Sequence, residues 1–479
     1  MRHPTSLAFL LLAVLLLAGC GTPSRATRSP SPPAPIPPFS VYGASSADGS
    51  VTALNASTGM QRWKVHPAGK GGIRLVAVNN SVLYLTVNAF NSSPPSFHLV
   101  AVNAGNGSLR WSFQRKGVDG EVLALDNGIL YGFFGNQANG PKSLNDFFAL
   151  KADTGKVLWD TPIQVLWDAH MQDFGWVAGM LANGILYGFL NQGSSDPTLS
   201  NEVLALNADT GTMLWELPTQ FAGSIESILA NGMLYVDSIY GGQSPPGPAY
   251  LYGLDATTGA VQWRQVRQEG TTDLKAVSGD TLYVAESYPE GPAPANLVAL
   301  DAHTGAERWQ QTADYIGINN TSVVAEVDQG DVSPVSVFFT ALRGSNGSAI
   351  WRVQVTPFST LVLDGGVLYA ASDANMVAAF SVTDGSLLWQ SSPVPGQATN
   401  IMLTVANGTL YAALEHVGLF AFHAPDGKLL WQYMPGATII AVQNGVLYGQ
   451  TSSALVALDA NTGTVYWQAT SEFDSVVLG

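Results

Sequence analysis

Between Asp160 and Gly179 the chain reads D-T-P-I-Q-V-L-W-D-A-H-M-Q-D-F-G-W-V-A-G. Trp167, Asp168, His170, Asp173 and Trp176 bring two indoles, two carboxylates and an imidazole into this one short stretch. Aromatic rings beside carboxylates can stack on a sugar or clasp a peptide, and Trp is enriched where binding energy concentrates. Asp168, His170 and Asp173 are also metal-ligand types, but their spacing matches no set metal motif. The same residues equally suit plain packing at the mouth of a ring. Elsewhere His3, His66, His98, His303 and His423 stand alone. No Gly-x-Ser-x-Gly elbow, Walker loop or Cys/His cluster occurs. The sequence therefore assigns no catalytic, cofactor-binding or metal residue, and Trp167, Asp168, His170, Asp173 and Trp176 are its candidate ligand- or partner-binding set.

What must position that stretch is a repeat that it interrupts. Leu455 to Trp467 reads L-V-A-L-D-A-N-T-G-T-V-Y-W. Ten such phrases occur, from Gly59–Trp63 to Gly463–Trp467, always with Trp four residues after Gly and about 45 residues apart. Ten of the twelve Trp residues belong to them; Trp167 and Trp176 are the other two. Each unit holds four short apolar runs. In the last, A is Thr438–Val442, B is Val446–Gly449, C is Leu455–Leu458 and D is Val465–Trp467. Asn-Gly pairs such as Asn127-Gly128 and Asn444-Gly445 separate A from B, and suit a type I′ hairpin because both residues tolerate positive φ. Asp364-Gly365, with Gly366, is the expected turn in the eighth unit. A Leu-Tyr pair commonly follows.

Four antiparallel strands per repeat at this period predict an all-β propeller of four-stranded blades. The invariant Trp is expected to fill the gap between neighbouring blades. The first unit starts at strand B (Val41–Ala44), and Ser475–Leu478 is left over after Trp467. The C-terminal strand should therefore pair with the N-terminal blade and close the ring, which removes free sheet edges at the seam. Ten units exceed the usual four to eight blades. An eight-bladed ring with two units outside it is the alternative to a single ring of ten. No linker splits residues 39–479. The B–C loops of units two to seven, such as Gly135–Asp146, Asn191–Glu202 and Tyr240–Tyr250, are long and rich in Pro, Ser, Gly and Asn. Irregular loops on a rigid scaffold are where function usually sits.

Charged residues make up only 11% against 46% hydrophobic, which fits short strands and turns better than wet-faced helices. The net charge of −15 repels phosphate backbones and argues against a nucleic-acid partner. The N-terminus carries Arg2, an apolar run from Leu7 to Leu17, then Leu17-Ala18-Gly19-Cys20. This has the form of a secretory signal too short to span a membrane. Leu-Ala-Gly-Cys resembles the lipobox of bacterial lipoproteins, which implies a signal peptide over 1–19 and a lipid on Cys20. Residues 20–38 are Pro- and Ser-rich, a tether able to reach about 50 Å at roughly 3.1 Å per residue. The expected location is the outer face of a bacterial cell membrane, or the periplasm and outer membrane.

The phrase V-L-A-L-N-A-D-T-G-T-M-L-W over Val203–Trp215 resembles the pyrroloquinoline-quinone (PQQ)-type propeller repeat. That repeat occurs in quinoprotein dehydrogenases and in the lipoprotein propeller of the outer-membrane β-barrel assembly machinery. The resemblance spans residues 41–479, with a degenerate unit at Ala341–Gly347. Quinoprotein dehydrogenases typically hold the quinone against two adjacent cysteines and bind calcium. Here Cys20 is the single cysteine, and no residue matches that catalytic set. The reading is thus a monomeric, non-catalytic, membrane-anchored extracytoplasmic scaffold for a protein or polysaccharide partner, with no cofactor expected. The alternative is an enzyme on the long-looped face, either a PQQ- and calcium-dependent oxidoreductase or a polysaccharide-active one.

Overall fold

The computed structural model describes residues 39–479, apart from 69–70, 90–93, 137–141, 167–176, 191–201, 220–223, 240–248, 268–270, 288–294, 320–321, 329–336, 373, 395–397, 399, 435, 452 and 471–472. The described residues form forty strands and no helix, arranged as ten four-stranded antiparallel sheets. Nine sheets take four consecutive strands in the order A-B-C-D. Blade 1 takes B, C and D from Ser40–Ser45, Ser50–Asn55 and Gln61–Val65, and its strand A from Ser475–Leu478. Val41 faces Leu478 and Ala44 faces Ser475 in that closing pair. The molecule is therefore one ten-bladed β-propeller, and the eight-bladed alternative does not hold. Every unit buries its faces against two neighbours, so no unit is left over to sit outside the ring.

Strands B and C are buried on both faces, as in Val82–Ala89 and Ala454–Asp459. That is why they read as continuous apolar runs rather than as alternation. Strand D has one wet side, and its pattern alternates, as in Leu429–Tyr433. A strands of adjacent blades touch one another, while D strands end each sheet on the outside. The core is a set of layers between blades. Ala53 and Trp63 of blade 1, for example, pack with Ile73, Leu83 and Val100 of blade 2.

The repeated phrase works across the gap between blades. Each of the ten Trp residues donates its indole N–H to a backbone carbonyl in the next blade's C–D turn, at 2.7–3.1 Å. The ring lies against the Gly of that turn. The Gly residues hold φ of +67 to +73°, and a Cβ on any of them would come within 2.3–2.8 Å of the neighbouring indole. Trp431 thus meets Gly463 and Ala460 of blade 10, and Trp467 meets Gly59 and Ala56 of blade 1. In eight blades the Tyr of the Leu-Tyr pair, and in blade 1 the Tyr42 that follows Val41, tilts against the same blade's Trp, with centroids 5.8–6.3 Å apart.

The A–B turns are as expected, with positive φ at both Asn127 and Gly128 and at both Asn444 and Gly445. In blade 8 the turn sits one residue later than the sequence predicts. Positive φ falls on Gly365 and Gly366, while Asp364 ends the strand. Two glycines in a row let the turn take the pair that costs least strain.

Candidate functional site

Trp167, Asp168, His170, Asp173 and Trp176 lie outside the described residues, as do the central parts of the long B–C loops. Their frame is described. Strand D of blade 3, Val157–Leu166, leads into the stretch, and strand A of blade 4, Val177–Ala182, leads out of it. In the alternating up-and-down order of each blade, the D–A and B–C connections leave from one end of the propeller. The A–B and C–D turns leave from the other.

At the long-looped end, blades 2 to 6 concentrate the buried charge. Arg115, near the end of strand D in blade 2, reaches across to blade 3. One guanidinium nitrogen pairs with Asp146 on strand C and the other with Asp160 on strand D. The guanidinium also lies 4.7 Å from the ring centroid of Phe134. Phe134 is itself stacked on Phe148 at 4.3 Å. The guanidinium thus bridges two carboxylates through charge-assisted hydrogen bonds while lying near an aromatic ring. Asp146 is buried, and that burial raises its carboxyl pKa despite the attraction of Arg115, with Asp160 adding to the rise. The two carboxylates sit on the strands that flank residues 137–141 and 167–176. The clamp therefore fixes the strands from which the candidate stretch departs.

Similar links join blades 5 and 6. Thr272 donates to the fully buried Asp237 at 2.6 Å. Arg267 Nε lies 2.7 Å from Glu286 Oε1. The amide of Leu274 donates to Glu226 Oε2 at 3.1 Å. Burial, then the charge of Asp273, raises the Glu226 carboxyl. Between blades 2 and 3, Asn88 and Gly120 exchange two hydrogen bonds, and Arg74 pairs with Glu121.

In blade 4, Glu202 on strand C and Glu216 on strand D are diagonal neighbours, since Glu202 faces Pro218 and Leu204 faces Glu216. The two carboxyls act on one another across the strand pair. Burial, then the charge of Glu216, pushes Glu202 up to about 7. A carboxyl pair that shares a proton near neutrality can act as acid or base. Glycosidases, however, hold their two carboxyls about 5–9.5 Å apart to flank a bond.

Sequence reasoning missed both the Arg115 clamp and the Glu202–Glu216 pair. Their partners lie on different strands or blades, and no local spacing marks them. The described residues contain no group of three His, Cys, Asp or Glu able to hold a metal ion. At the opposite end, a cleft of about 320 Å³ lies between the A–B turns of blades 8 and 9, lined by Asp364, Tyr369, Val405, Asn407 and Pro425 among others.

No curated protein matches the chain. Among solved structures, the computationally designed Ika8 protein is 13% identical, with 73% of this chain and 95% of that one covered and a TM-score of 0.40. BamB from Moraxella catarrhalis is 12% identical, with 71% and 94% covered and a TM-score of 0.37. The quinohemoprotein alcohol dehydrogenase ADHIIG from Pseudomonas putida HK5 is 15% identical, with 80% and 68% covered and a TM-score of 0.35. The family model described as outer membrane protein assembly factor BamB matches residues 39–165, 149–338 and 336–476. Three overlapping matches thus run the length of a ring built from ten PQQ-type Gly–Trp phrases, and the chain belongs to that BamB-described propeller family.

Proposed function

We propose that this chain is a non-catalytic, lipid-anchored scaffold that holds a protein partner at the long-looped end of its propeller, on the periplasmic side of an outer membrane. The observation that carries this reading is the family match itself, which names an outer membrane protein assembly factor and extends over residues 39–476. The rigid, charge-clamped strands around residues 167–176 support it, because a binding loop gains affinity when its base is already ordered. Trp167 and Trp176 would supply apolar anchors, and Asp168, His170 and Asp173 a polar rim. Cys20 would carry the lipid, and residues 20–38 would set the reach from the membrane.

The test uses full-length protein in native membranes. Trp167→Ala with His170→Ala should weaken capture of the partner at least ten-fold and leave the melting temperature nearly unchanged. A large loss of stability would instead mark the stretch as packing and overturn its binding role. Cys20→Ser should release the protein from membranes, and retention would count against lipid as the anchor. Turnover of an alcohol or sugar after reconstitution with PQQ and Ca²⁺ would overturn the non-catalytic reading.

A further inference from the structure

The outer edges of the ten blades are not alike. Strand D is the last strand of every sheet, and among the described residues no other strand pairs with its free side. Unpaired strand edges invite further pairing, and natural proteins blunt them with charge. Seven of the ten edges are blunted. Gln61–Val65 carries Arg62 and Lys64, and Leu109–Lys116 carries Arg110, Arg115 and Lys116. Val157–Leu166 carries Asp160, and Met213–Pro218 carries Glu216. Val261–Arg267, Glu307–Thr312 and Ala349–Val355 each carry at least one Arg.

The remaining three hold no charged residue. They are Leu387–Gln390, Leu429–Tyr433 and Val465–Thr470, the D strands of blades 8, 9 and 10. These blades are consecutive in the ring. Like other D strands they expose aliphatic side chains, Leu387 at 51%, Leu388 at 47%, Leu429 at 46% and Leu430 at 41%; here alone no charge within the strand accompanies them. The sector therefore combines free main-chain donors and acceptors with an uncharged, apolar flank.

We propose that this sector of the rim, blades 8 to 10, docks an extended and uncharged segment of another polypeptide by adding it as a fifth strand. The free edge selects the occupant. A row of unpaired N–H and C=O groups is satisfied in register by an extended backbone, which a lipid or a sugar does not supply. Charge selects it further, because a charged side chain laid on these aliphatics would lose hydration with no partner. The chain's own tether is excluded, since residues 30, 32, 33, 35, 37 and 38 are proline and lack the N–H that a ladder needs. A second copy brings another net charge of −15, which opposes self-pairing at low salt.

The inference rests on the reading of this chain as a binder, but places a second contact surface on blades other than those with the long loops. The probe is a capped ten-residue peptide of alternating Thr and Val, added to the full-length protein. Hydrogen exchange should slow at residues 387–390, 429–433 or 465–470 and not at the seven charged edges. Where the protection falls on 387–390 or 429–433, Leu388→Lys with Leu430→Lys should weaken the peptide at least ten-fold without shifting the melting temperature, and where it falls on 465–470, Val465→Lys should do so. A peptide with alternate amides methylated should not bind. No protection, protection spread over all ten edges, or equal binding of the methylated peptide would overturn the proposal. A dimer in sedimentation that the same two substitutions disperse would assign the edge to a second copy, and would also overturn it. Partner capture that survives Leu388→Lys and Leu430→Lys but fails with Trp167→Ala would leave the long-loop reading standing by itself.

Discussion

A single carbonyl sorts the ten tryptophans into two groups. In blades 1, 4 and 9 the carbonyl that accepts from Trp63, Trp215 or Trp431 also accepts from a tyrosine hydroxyl: Tyr42, Tyr187 and Tyr411, at 3.0–3.2 Å. For Trp389 the acceptor is Ala424 O at 2.7 Å, with the indole as its side-chain donor. Trp→Phe keeps most of the packing and removes the N–H. At Trp431 the carbonyl keeps its tyrosine; at Trp389 it is left buried and unmet. Unfolding in urea should therefore show Trp389→Phe as more damaging than Trp431→Phe by about 1 kcal/mol. The Glu202–Glu216 pair gives a pH signature. The Glu202 carboxyl, ordinarily near 4.5, stands at about 7 in the folded protein, so folding favours its protonated form. Its contribution to stability is complete below about 4.5 and is lost as pH rises through 7. The melting temperature of Glu202→Gln, compared with the parent between pH 5 and pH 8, should show this part of the pH dependence removed. An unchanged difference across that range would mean that the two carboxyls are not coupled.

At the scale of the strand and the blade, Arg115 is a fastener between neighbours. Removing it leaves Asp146 buried without its cation. Arg115→Ala should cost about 2 kcal/mol, less than a fully buried pair because the guanidinium is partly exposed. Adding Asp146→Asn should recover part of that loss, which a double-mutant cycle would measure. Strands and turns at this scale were legible in the sequence because their signals are local. Asn-Gly pairs need two positive φ values, the apolar runs need burial on both faces, and the Gly–Trp spacing is constant. Even the leftover Ser475–Leu478 could be read as the missing strand A. Asp364 shows the limit of such signals, because a third turn residue beside Gly365 and Gly366 leaves the register open by one. The polar half of the candidate site was not legible. Arg115 meets partners 31 and 45 residues away, and nothing in the local pattern of any one strand marks such a meeting. The stretch from Asp160 to Gly179 was found only as a break in the repeat, a signal that marks a place without fixing a geometry.

For the whole molecule, closure depends on a four-residue strand. Ser475–Leu478 pairs with Ser40–Ser45, and Val477 packs with Tyr42 and Ile73. Truncation after residue 474 would expose one side of blade 1 and one side of strand A in blade 2. The expected outcome is a loss of several kcal/mol and first cleavage within blades 1 and 2 in limited proteolysis. Cleavage elsewhere would show that closure is shared more widely. The contact that completes the circle is otherwise ordinary: Trp467 lies on Gly59 just as Trp431 lies on Gly463. Ser40 N–H also donates to Gly479 O at 2.8 Å, and Gly479 N–H donates back at 3.1 Å. The ring consequently has no first blade in any physical sense. Joining the two ends and opening the chain at another A–B turn would yield a circular permutant with the same ten contacts, its ends on a different blade. Which blade carries the two chain ends can therefore change without altering the wheel.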